Sequence, residues 1–191
     1  MTHPFAAARR SQLVIAPASL HALGEALAQE PGPGAARALQ EAGYPTGVAH
    51  AAAFREWLAA RGEGEPDSLP LSVFRDRVRE LFASLGWGEL VLHTESEPAS
   101  TLEATGWAEW RPRAEGEAPA CHFTTGMLAG FFGDIAGHPL AVLEVEPAVA
   151  EPGACRFLMG SEQVMHDVYQ RLERGEAPYL LAGNDPAATS R

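Results

Sequence analysis

Two cysteines, seven histidines and an aromatic-rich stretch from Trp107 to Phe132 are the parts of this 191-residue chain with chemistry to offer. Cys121 and Cys155 sit in a chain that reads as non-secreted, where a structural disulfide is not expected. Free thiols, metal ligands and small core residues all remain open for them. As a nucleophile, Cys121 would need a positioned base and a lowered pKa. His122 is adjacent in sequence, but adjacent residues of a helix do not face each other. No histidine falls in a catalytic spacing, and His138 and His166 read as surface or structural residues. The chain has no phosphate-binding P-loop, no G-x-G-x-x-G dinucleotide fingerprint and no nucleophile elbow.

The aromatic residues have two readings. Trp107, Trp110, Phe123, Met127, Phe131 and Phe132 either fill a core or wall an apolar chamber, since aromatic and methionine side chains suit a flat or flexible hydrophobic guest. The first five are the candidate ligand contacts. Trp107 and Trp110 are three apart in what reads as a strand, so they should face opposite sides.

The elements that position these residues come from periodicity. Residues 19–29 read as a helix with Ser19 as its cap, broken by Pro31-Gly32-Pro33-Gly34. Residues 35–42 and 46–61 read as two helices separated by Gly43-Tyr44-Pro45. Residues 70–85 form the clearest amphipathic helix, with Phe74, Val78, Leu81, Phe82 and Leu85 on one face and Gly86 and Gly88 ending it. The period then shortens: 89–94 and 102–110 read as strands joined by a loop or hairpin. Residues 111–119 are a polar loop, and 120–136 a helix apolar nearly all round, which belongs in an interior or at a subunit contact. Gly126 and Gly130 would let that helix approach a neighbour closely, another subunit being one candidate. Residues 140–146 and 154–159 read as strands, with Pro147 and Pro152-Gly153 in the turn between them. A last helix starts at Ser161, with Val164, Val168 and Leu172 on one face. Segregated helices and hairpins predict an α+β fold in which an antiparallel sheet packs against helices. The expected domain limits are a helical extension over 1–34, a ligand-binding domain over 35–175 and a flexible tail over 176–191.

Acidic residues outnumber Lys and Arg by 25 to 14, a formal net charge of -11. That balance disfavours nucleic acid, whose phosphates need clustered cations, and disfavours an anionic membrane surface. No stretch reaches the ~18 apolar residues of a membrane span. The Leu13-Val14-Ile15 run is shorter than the ~7–15-residue apolar core of a signal peptide. The expected location is the cytoplasm.

The segment Cys121-His122-Phe123-Thr124-Thr125-Gly126-Met127-Leu128-Ala129-Gly130 resembles a family pattern of Cys, an aromatic residue, then Gly-x-Leu-Ala-Gly. Gly137-His138-Pro139-Leu140-Ala141-Val142-Leu143-Glu144 resembles the same family's strand ending in Glu, and Gly153-Ala154-Cys155-Arg156-Phe157 its Gly-x-Cys-x-Phe close. Upstream, Glu41-Ala42-Gly43 with Gly47 and Leu85-Gly86-Trp87-Gly88 are similar to its first helix and hairpin entry. The family is the 4-vinyl-reductase domain, which shares its fold with TRAPP tethering subunits and with sensor domains of aromatic-responsive transcription activators. The resemblance runs from about residue 39 onward. It implies an antiparallel sheet against helices, commonly dimeric, around an apolar pocket for a small hydrophobic ligand.

The resemblance also implies a metal. In the aromatic-responsive relatives zinc sits on three Cys and one Glu. Matched residue by residue, these fall on Cys121, Glu144, Cys155 and, at the remaining Cys, Pro147, which has no donor. Three protein ligands completed by water, His122, His138 or Glu146 would still suit zinc. Without metal, a buried Glu144 would need a partner, and Arg156 is near in sequence. Those relatives anchor a phenol hydroxyl with a polar side chain. No His or Trp stands at the corresponding positions here, so the expected guest is purely hydrophobic, such as a fatty acyl or terpenoid chain, or there is none. The implied function is a ligand-binding or sensory module without its own output domain. The alternatives are an accessory protein or reductase in tetrapyrrole-type metabolism and a homo-oligomeric assembly protein.

Overall fold

The computed structural model describes residues 15–28, 34–94, 99–112, 120–145 and 152–176. Among them the order is α1 (Pro17–Ala28), α2 (Gly34–Ala60), a 3-10 turn (Pro66–Ser68), α3 (Leu71–Ser84), β1 (Glu89–His93), β2 (Ser100–Thr105), α4 (His122–Ala136), β3 (Ala141–Val145), β4 (Cys155–Gly160) and α5 (Glu162–Glu173). The strands form one antiparallel sheet in the order β1-β2-β4-β3. The architecture is α+β, as the segregated periodicities require. The linker at 95–98, most of the polar loop at 113–119, the turn at 146–151 and the C-terminal tail from 177 lie outside the described residues.

Alternation along the strands gives the sheet two faces. Leu90, Leu92, Leu102, Ala104, Val142, Cys155, Phe157 and Met159 point toward α2, α3 and α4 and join the main core. Ala99, Val145 and Leu158 point the other way, under Met165 and Val168 of α5. Ser161 caps α5, its hydroxyl accepting the Val164 N–H at 3.3 Å. In α3 the buried stripe is Val78, Leu81 and Phe82, with Phe74 and Leu85 at its edges, matching the amphipathic pattern. No described helix is long and apolar enough to cross a membrane.

Two expectations about helices are corrected. α1 begins at Pro17, so Ser19 lies inside it rather than capping it; proline is favoured in a first turn because its missing N–H would be unpaired there anyway. The break at Gly43-Tyr44-Pro45 does not occur: α2 runs unbroken through all three residues. Glu41 and Pro45 both lie on the exposed side of α2. The Glu41 carbonyl that loses its N–H partner therefore faces water, which reduces the usual interior-proline cost of about 3 kcal/mol.

Packing between α2 and α4 accounts for the rest. A Cβ on Gly43 would collide with the Phe123 carbonyl oxygen, and one on Gly47 with that of Met127. Reciprocally, Gly126 lies against the Gln40 carbonyl and Gly130 against that of Tyr44. The two helix backbones thus touch along a seam of four glycines. The neighbour that Gly126 and Gly130 admit is α2 of the same chain.

The candidate metal centre and the aromatic interior

Three elements meet at the start of α4. Cys121 is the residue before its first turn. Cys155 opens β4, and Glu144 lies in β3 opposite Phe157, two residues along from Cys155 on the same inward face. The three donor atoms lie within 4.8 Å of one another, and all three residues are buried. The two sulfurs are 3.5 Å apart. Oε2 of Glu144 accepts the N–H groups of Ala120 at 2.9 Å and Cys121 at 2.7 Å. The hydrogen bond with Cys155, then burial and the charge of Glu144, push the Cys121 thiol well above its ordinary range. A dication between the sulfurs would reverse that sign, because it favours the thiolate.

The donor chemistry therefore fits a metal: two sulfurs and a carboxylate, preassembled and screened from water. The described group comprises those three residues. His122 and His138 stand outside it, and Pro147 and Glu146 lie outside the described residues. Arg156 is not the partner of Glu144. It sits on the opposite sheet face and pairs with Glu103 across β2 at 2.7 Å, because one step along a strand reverses the side chain.

The five aromatic-interior candidates divide by depth. Trp107, Met127 and Phe131 are buried in the main core, while Phe123 and Trp110 pack against it partly exposed. The expected opposition of Trp107 and Trp110 is corrected. β2 stops at Thr105, and the two tryptophans lie in a turn closed by the Trp110 N–H on the Trp107 carbonyl at 3.1 Å. Outside a strand the two-residue alternation does not apply, and both rings turn toward the core. Gly106, with φ of 59°, takes the chain out of the strand. Trp87 stacks on Phe123 with centroids 5.9 Å apart and lies 5.7 Å from Trp107. Phe82 joins Trp107 at 5.9 Å to Phe131 at 5.2 Å.

Two buried polar residues escaped the sequence reading. His50, on the inner face of α2, is 8% exposed and stands edge-on to Phe82 at 6.3 Å. Neither of its ring nitrogens has a partner among the described residues. Burial lowers its pKa to about 4, so the ring is neutral near pH 7. Glu109, in the loop after β2, is 6% exposed. It accepts the N–H groups of Phe123 at 3.0 Å and Thr124 at 2.7 Å, and the Thr124 hydroxyl at 2.6 Å. Burial pushes its carboxyl upward against those bonds. A helical stripe containing a histidine was visible for His50. Nothing local marks Glu109, whose partners lie beyond a loop.

No family model matches the chain, and no curated protein matches it. Solved structures do. The phenol-responsive sensory domain of the transcription activator PoxR, determined with phenol, aligns at a TM-score of 0.58 and 15% identity, over 78% of this chain and 75% of that one. A vinyl-4-reductase family protein from Methanocaldococcus jannaschii aligns at a TM-score of 0.45 and 17% identity, over 80% and 84%. At such identities the likeness is one of fold, and the four-stranded sheet with its helices is the fold of the PoxR sensory domain.

Proposed function

We propose that this protein is a binding module for a small, uncharged, mainly hydrophobic molecule carrying one hydrogen-bonding group, held among α2, α3 and α4 beside His50. The observation that carries this reading is His50 itself. A neutral imidazole has one donor and one acceptor, and leaving a buried polar group unpaired costs about 1–3 kcal/mol. A guest hydroxyl or carbonyl would recover that cost, while Phe82, Trp107, Met127 and Phe131 supply apolar walls. The fold shared with a phenol-responsive domain supports the same use. A polar anchor refines the purely hydrophobic guest expected from sequence.

The companion proposal is that Cys121, Glu144 and Cys155 bind zinc. Its role there would be structural, tying the start of α4 to β3 and β4.

Native mass spectrometry of the purified chain, with thermal-shift screening against phenol, a terpenoid alcohol and a fatty acid, tests the first proposal. A co-purified small molecule or a saturable stabilisation is expected. His50→Leu should abolish it while leaving the ligand-free protein as stable or more so. A chain that carries nothing and responds to none of the probes would refute the reading. A His50→Leu variant that loses stability but keeps its ligand would assign the histidine to structure instead.

A further inference from the structure

Two carboxylates from distant segments grip successive residues at the start of α4. Glu144 holds the N–H groups of Ala120 and Cys121, and Glu109 those of Phe123 and Thr124. The hydrogen bonds beyond Glu109 have a fixed sense. A carboxylate that takes two backbone donors also takes the Thr124 proton at 2.6 Å. The hydroxyl's lone pairs are then left for the Trp107 indole N–H, which donates to Thr124 Oγ1 at 2.8 Å. Trp107 in turn packs on Phe82, the ring that faces His50. A continuous path therefore leads from Cys121 and Glu144, through one helical turn, to the aromatic wall.

We infer that Glu109 and Thr124 are positioning residues that make the orientation of Trp107 depend on metal occupancy at Cys121, Glu144 and Cys155. This rests on the zinc proposal above. A cation drawing Cys121 and Glu144 together would act just ahead of the turn that Glu109 clamps, and a close-packed interior passes such an adjustment on rather than absorbing it. Because linkage is reciprocal, a guest that favours one orientation of Trp107 over another would also alter metal affinity. The site's regulation would thus lie in its own metal centre.

The test uses the full chain freed of metal by chelation and titrated with zinc. Bound metal is followed by elemental analysis, and tryptophan environment by near-ultraviolet circular dichroism and emission. In the unaltered protein the tryptophan signal should change in step with zinc bound. Trp107→Phe should remove most of that change at unaltered zinc stoichiometry, which assigns the reporter. Thr124→Val should reach the same zinc stoichiometry but lose at least half of the change, and Thr124→Ser, which keeps the hydroxyl, should retain it. Glu109→Gln should behave like Thr124→Val. Zinc that binds without a spectral response, or a response equal in Thr124→Val and the unaltered chain, overturns the relay while leaving the metal site standing. Failure to bind zinc at all overturns both, and elemental analysis distinguishes that case. Far-ultraviolet dichroism identifies a variant that has not folded; whichever of Thr124→Val and Glu109→Gln folds then decides the outcome by comparison with Thr124→Ser.

Discussion

His50 and Glu109 are both buried, but their surroundings differ. Glu109 accepts three hydrogen bonds at a helix N-terminus, where the helix dipole also favours negative charge. His50 has an aromatic edge and no hydrogen bond among the described residues. Its pKa of about 4 in the folded chain lies below the usual value near 6.5, so the unfolded chain binds the extra proton between those two pH values. Stability must therefore rise with pH across that window and fall as pH drops from about 6.5 to 4, by roughly 3 kcal/mol in all for this residue. Glu109, with its carboxyl pushed up, contributes a slope of the opposite sign above the usual carboxylate range. The two are separated by subtraction: urea unfolding of the unaltered chain and of His50→Leu at pH 4, 5, 6 and 7 should diverge toward acid, the variant losing less. Parallel curves would show that the histidine is solvated in the folded state.

At the scale of elements, the glycine seam between α2 and α4 is the most exacting feature. Overpacking in a core usually costs about 1–3 kcal/mol, because side chains can yield. Here the atoms in the way are backbone carbonyls of a facing helix, which cannot yield without separating the helices. Gly47→Ala and Gly126→Ala should each cost about 3 kcal/mol or more in chemical denaturation. Gly34→Ala, with nothing near its added methyl, should stay within about 0.5 kcal/mol. Equal effects at all three sites would refute the seam. This feature also shows what local sequence conveys. The α3 stripe and the start of the last helix at Ser161 were legible because each is decided within a few residues. Gly43-Tyr44-Pro45 read as a break because Gly and Pro are poor helix formers; what holds the helix together is α4, far along the chain. The trio of Cys121, Glu144 and Cys155 was found through resemblance rather than spacing, since three short elements must first pack before its donors meet. Glu109 is hidden for the same reason, and the helical stripe that turns His50 inward does not show that its nitrogens find no partner among the described residues, which only the packed chain decides.

For the molecule as a whole, the sheet is clasped between α2–α4 on one face and α5 on the other, and Cys121, Glu144 and Cys155 meet where the start of α4 lies against β3 and β4. A cation there would bind the folded chain far better than the unfolded one, because the donors are brought together only by folding. Bound at ~100- to 1,000-fold above its dissociation constant, it adds about 2.7–4.1 kcal/mol of stability. In a chain of this length each kcal/mol moves the melting temperature by about 2–4 °C. Chelation of zinc-loaded protein should therefore lower the melting temperature by roughly 5–15 °C, reversibly on zinc addition. Cys121→Ser and Cys155→Ser should each release the metal and melt near the chelated protein, with chelator having no further effect on either. Because both act through one site, the double variant should lose little more than a single one, a non-additivity that two independent cavity defects would not produce. Undiminished zinc in either single variant would remove that cysteine from the ligand set. Fully additive losses would mean that the two sulfurs stabilise the chain as core residues, without a shared ion.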